Sequence, residues 1–148
     1  MSLRLIPSIH RATHRIGLYL ASLREDALSQ GEAHILALLA TSSPATIAEL
    51  HRGLAHKRST LTSILDRLAA RGLITREVGT RDRRTFVITP TTTGAQVARR
   101  VQRHLADLEE AIARRVTAED IRGFLKVVGT VEEEAHKRGH HRKNRGDR

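Results

Sequence analysis

The chain has 148 residues, with 26 Lys and Arg against 16 Asp and Glu, a formal net charge of +10. That length suits one domain with a dimerisation extension, and the charge favours an anionic partner, nucleic acid before a membrane surface. With no cysteine and only three aromatics (Tyr19, Phe86, Phe124), disulfides, thiolate metal sites and cysteine redox sensing are excluded, and base stacking on single strands is poorly served.

Charges and histidines run through the first thirty residues, which does not suit a secretory signal. No apolar run approaches the roughly 20 residues of a membrane span. A cytoplasmic protein is expected.

The spacing predicts a first helix over residues 7–28, with Pro7 in its first turn, where the missing N–H costs nothing. Ile9, Ile16 and Leu23 recur every seven residues, with Leu5, Ala12 and Tyr19 beside them. Such a seam faces either a partner or the helix's own domain. Ser29 to Glu32 reads as a capping box opening a helix that carries Ile35, Leu36, Leu38 and Leu39. A second box, Thr46 to Glu49, opens about two turns with Ile47, Leu50 and Leu54 inward. Two short helices and a tight connection then lead to Lys57, which is helix-turn-helix spacing.

In the next helix, 57–71, Leu61, Ile64, Leu65 and Leu68 form one apolar face. Ser59, Thr62, Ser63 and Asp66 lie opposite, with Thr60 and Arg67 on the shoulder and Lys57 and Arg58 at the start. Short hydroxyls allow close approach to a duplex, and the N-terminal end of such a helix is what enters a major groove. Gly72 suits a left-handed cap. Residues 73–78 and 85–89 read as strands around a basic loop, Gly79 to Arg84. This is the pattern of a wing, placed to put an arginine into the minor groove. Asp82 is expected to hold an arginine extended by a charge-assisted pair. Arg81 and Arg83 are expected on phosphates.

Thr91 is the expected N-cap of a long helix whose Val97, Val101, Leu105, Leu108, Ile112 and Val116 recur every three or four residues. That seam is longer than a small winged domain can cover, and it suits pairing with another helix. Thr117 to Asp120 opens a last helix with Ile121, Phe124, Leu125, Val128 and Val131. Residues 136–148, basic and without an apolar side chain, are expected to be disordered and to add phosphate attraction. The expected architecture is mainly helical with a small β-hairpin wing. Residues 29–90 form the winged helix-turn-helix. Residues 1–28 and 91–135 form an all-helical dimerisation module, in which Ile9, Ile16, Leu105, Leu108, Ile112, Phe124, Leu125 and Val128 face the partner. A two-fold reader would recognise a pseudo-palindromic double-stranded site.

The stretch Leu61 to Arg76, followed by Asp82-Arg83-Arg84 and Thr91-Thr92-Thr93-Gly94, resembles the MarR (multiple antibiotic resistance regulator) family of winged-helix regulators. The resemblance implies a homodimeric transcription factor, usually a repressor, released from DNA by a small ligand bound in the crevice between the winged and dimerisation parts. It also implies that Arg84 enters the minor groove with Asp82 bracing it. Pro90 stands where leucine is common, a departure confined to the strand's end. The missing cysteines exclude the peroxide-sensing thiol mechanism of one branch.

Nine histidines raise the question of a metal. His10 and His14 have the four-residue helical spacing of shared ligation, and His136, His140 and His141 group in the tail. A shared site needs a third ligand, which Glu32, His34 or His104 would supply only through the fold, so no metal site and no cofactor is expected. Catalysis has no foothold, since no nucleophile–base pair or phosphate-cradling glycine loop occurs; the chain is not expected to be an enzyme. The competing reading is an architectural or anti-silencing DNA-binding protein of low sequence preference, and a metal-responsive regulator stands behind it.

Overall fold

The computed structural model describes residues 4–23, 27–54 and 57–146. Its elements run α1 (Leu5–Ser22), α2 (Gln30–Thr41), β1 (Ala45–Thr46), α3 (Ile47–Leu54), α4 (Arg58–Ala70), β2 (Ile74–Val78), β3 (Phe86–Pro90), α5 (Thr92–Ala113) and α6 (Ala118–Gly146). The chain divides into two compact units, residues 1–105 and 106–148.

The first unit is built on a single aliphatic core. Leu61, Ile64, Leu65 and Leu68 of α4 are all buried, as are Ile35, Leu36 and Leu39 of α2, Leu50 of α3 and Ile88 of β3. Periodic apolar faces on four short elements leave no alternative once they meet. Helix α1 contributes Leu20 to this core, with Tyr19 and Leu23 packed against it. It stops at Ser22, where the Leu23 amide bonds back to the Leu20 carbonyl, rather than running to residue 28.

Local signals set the helix ends. Ser29 and Glu32 form the expected capping box, and the Thr46 and Glu49 side chains each accept from the other's backbone amide. Gly72, with φ of 68°, ends α4. Its amide bonds to the Ala69 carbonyl and that of Leu73 to the Leu68 carbonyl, the paired bonds of a Schellman cap. Thr91 then joins the winged segment to α5. Its hydroxyl donates to the Gly72 carbonyl at 2.7 Å and accepts from the Gly94 amide at 3.0 Å. Gly94 lies against the Leu73 backbone so closely that a Cβ would overlap the Leu73 carbonyl oxygen. The Thr-x-x-Gly pattern is thus a backbone junction.

The sheet has three strands in the order β1-β3-β2, both pairings antiparallel. Strands β2 and β3 form the expected hairpin, with Val78 opposite Phe86 and Ile74 opposite Pro90. The two-residue β1 pairs Ala45 with Ile88; it has no signature of its own and is a strand only because β3 supplies its partner. Pro90 closes β3 without breaking it.

In the second unit the end of α5 and helix α6 are joined by a turn that Thr117 and Asp120 cap reciprocally. No described residue beyond Val101 has a buried hydrophobic side chain. Ile112, Val116, Ile121, Phe124, Leu125 and Val127 are all exposed. Helix α6 continues through Gly146, into the tail expected to be disordered; residues 147–148 lie outside the described residues. Lys137 pairs with Glu133 and Glu134, and Arg138 with Glu134, all at helical spacing.

Candidate nucleic-acid interface

The burial of one face of α4 exposes the other. Ser59, Thr60, Thr62 and Ser63 all face solvent, and Lys57 stands at the N-cap in extended conformation. Arg58 is the first residue of α4, its side chain outside the described residues. The Ser63 hydroxyl donates to the Ser59 carbonyl at 3.1 Å, a common resting bond for a helical serine that leaves its lone pairs outward.

The wing is held by four short bonds. The Gly79 amide donates to the Thr85 carbonyl at 2.8 Å. The Asp82 carbonyl accepts from the Thr85 amide at 3.1 Å and from its hydroxyl at 2.8 Å. The Asp82 carboxylate accepts from the backbone amide of Arg84 at 2.9 Å. The expected brace therefore exists in another form: Asp82 fixes the Arg84 backbone, as a short carboxylate two residues upstream does in an Asx turn, and not its guanidinium. Arg81, Asp82, Arg83 and Arg84 are all exposed.

Helix and wing meet at one cleft of about 530 Å³. Thr62 of α4 and Arg84 border it together with His51 and Arg52 of α3 and the Phe86 ring. His51 and Arg52 were not anticipated; the signal available was two basic residues closing a short helix directly before the reading helix. A concave, basic, hydroxyl-bearing surface can accept a phosphate backbone and leave an arginine free to probe beside it.

Arg67 stands elsewhere. Its Nε donates to Glu32 Oε1 at 2.9 Å, and Arg71 Nη1 donates to Glu32 Oε2 at 3.2 Å. Asp66, on the outward face of α4, accepts from Arg76 Nη2 of β2 at 2.7 Å. These ties cross 35, 39 and 10 residues of sequence, and only the last could be suspected from a short separation.

The residues expected to face a partner divide. Ile16, Ile112, Phe124 and Leu125 are exposed; Ile9, Leu108 and Val128 are half-buried. Leu105, also half-buried, packs against the core of the first unit. His10 and His14 are exposed on α1. Among the described residues no three His, Asp or Glu side chains gather where a metal could sit, and no helix is long and apolar enough to cross a membrane.

Comparison with known proteins points one way. The MarR family model matches residues 28–86. The solved DNA complex of MepR from S. aureus superposes with a TM-score of 0.80 at 16% identity, covering 90% of this chain and 99% of that one. PcaV from Streptomyces coelicolor, solved with its natural ligand, gives 0.76 at 18% identity over 91% of this chain and 99% of that one. BldR, a transcriptional regulator from Sulfolobus solfataricus, gives 0.70 at 25% identity over 84% and 90%. No curated protein matches the sequence.

Proposed function

Residues 28–86 are a MarR-family domain, and from that premise we propose that the chain is a homodimeric, sequence-specific transcriptional regulator of double-stranded DNA, cytoplasmic and not an enzyme. Helix α4 enters the major groove with Lys57, Arg58, Ser59, Thr60, Thr62 and Ser63. The wing carries Arg84 to the minor groove, while Arg81 and Arg83 meet phosphates. The observation that carries this reading is the shared cleft, where Thr62 of the helix and Arg84 of the wing line one basic surface. The net charge of +10 supplies attraction, and the hydroxyl-lined helix supplies the capacity to discriminate. The exposed apolar rows of α1 and α6 support a second copy as partner, and a two-fold reader takes a pseudo-palindromic operator. Repression relieved by a small ligand belongs to the same reading, on the likeness to a regulator solved with its natural ligand.

A competition assay tests it. The chain's own promoter duplex should hold the protein against a large excess of random duplex; equal displacement by the two would instead support an architectural protein of low sequence preference. Arg84→Ala should weaken promoter binding by about 1–3 kcal/mol, and unchanged affinity at matched salt would remove the wing from the interface.

A further inference from the structure

Glu32 is the one charged side chain buried among the described residues, with 4% relative exposure. A carboxylate taken from water needs partners for both oxygens, and here each oxygen has a guanidinium. Oε1 accepts from Arg67 Nε, while Oε2 accepts from Arg71 Nη1 and from the Ser29 amide at 3.0 Å. The capping box fixes the carboxylate at the N-terminus of α2. Arg67 projects from the last turn of α4 and Arg71 from its C-cap, at the i,i+4 spacing that places both on one side of the helix. Two bonds from one immobile carboxylate to these two arginines restrain both the rotation of α4 about its axis and its slide along α2. On another flank, Arg76 of β2 holds Asp66 of the same helix at 2.7 Å.

We propose that Glu32 is a positioning residue for DNA reading: through Arg67 and Arg71 it sets which hydroxyls of α4 face the groove. Arg67, on the shoulder of the outward face of α4, is a strut in this arrangement. The proposal rests on the DNA-reading function proposed above. Rotation by a fraction of one residue's turn would exchange Ser59 and Thr62 for their neighbours at the base edges. The strut therefore acts on discrimination between sequences and not on attraction to phosphate.

The test uses the full chain, a duplex it selects from a random pool, and random-sequence duplex. Glu32→Gln keeps an oxygen for the Ser29 amide and removes the charge that holds the arginines. It should reduce the ratio of selected to random affinity by about two- to thirtyfold, with affinity for random duplex and its salt slope unchanged. Arg67→Gln should do the same, and the double variant should be no worse than either alone. If Glu32→Gln does not fold, Arg67→Gln combined with Arg71→Gln reads the same loss with the cap intact. A slope on random duplex lowered by roughly one for each Arg67 replaced would make Arg67 a phosphate contact and overturn the strut. Equal weakening on both duplexes would overturn it too, as general destabilisation. Should the wild-type chain select no duplex, the DNA-reading function itself fails, and the positioning role with it.

Discussion

The two units of this chain satisfy their apolar residues in opposite ways. Up to Leu105, short helices and a small sheet enclose eighteen buried hydrophobic residues among those described, Leu20 to Val101. From residue 106 onward, two helices carry as regular an apolar pattern, and among the described residues none of their large side chains is buried: Phe124 and Leu125 are 60% and 61% exposed. Helix α5 shows the change within one element, because Val97 and Val101 are buried while Ile112 is exposed. Periodicity thus says which residues seek cover, and topology decides whether the chain itself supplies it. An apolar row left open over several turns is the surface expected of a second copy.

The largest effect should follow from the junction that ends the winged segment. Gly94→Ala drives a Cβ into the Leu73 carbonyl, where backbone and not a flexible side chain must yield. A loss of about 4 kcal/mol or more in urea unfolding is expected. Wild-type stability in that variant would mean that α5 can be re-seated freely, and that the first unit is less closed than its packing indicates.

A matched pair of truncations tests the contrast directly. Leu68→Ala removes a side chain with no exposure and should cost about 2–5 kcal/mol at every protein concentration. Leu125→Ala, in the open row, should cost about 1–2 kcal/mol, and that cost should appear as weaker self-association in sedimentation equilibrium and a more concentration-dependent melting temperature. A concentration-independent loss at Leu125 would contradict the assignment of this row to a second copy.

Much of the first unit was legible because its signals are local. The Leu61–Ile64–Leu65–Leu68 face, the Ser29–Glu32 and Thr46–Glu49 boxes, Gly72 and Thr91 each declare an element within a few residues. What escaped depends on residues distant in sequence. Strand β1 exists through Ile88, and the Glu32 clamp joins residues that no periodicity links. Asp82, expected to pair with an arginine side chain, bonds instead to the Arg84 backbone amide, a choice that belongs to the turn geometry. At the start of the basic tail, Lys137 and Arg138 pair with Glu133 and Glu134 along α6, a pattern that low apolar content does not register.

The smallest effect concerns the two Thr-carboxylate caps, which resemble each other locally and differ in what lies behind them. Glu49 is held below its usual pKa by the bond from the Thr46 amide, then by that from its hydroxyl, with Arg52 adding attraction. Asp120 is held below its own by the Thr117 hydroxyl first and the Thr117 amide second. A carboxyl whose folded pKa is depressed contributes stability that is present above its unfolded value, about 4 for either residue. That contribution is lost as pH falls through the folded value. Acidification below about pH 4 should therefore weaken both caps. Helix α3 is anchored by buried Leu50 and should keep its helicity. The start of α6 has no buried hydrophobic side chain behind it and should fray first, which amide exchange at residues 118–122 would register before exchange at 47–51. Thr117→Ala should remove the acid-dependent part of that exchange at α6 alone. Simultaneous fraying of α3 and α6 would mean that burial behind the cap does not separate the two units in the way their cores suggest.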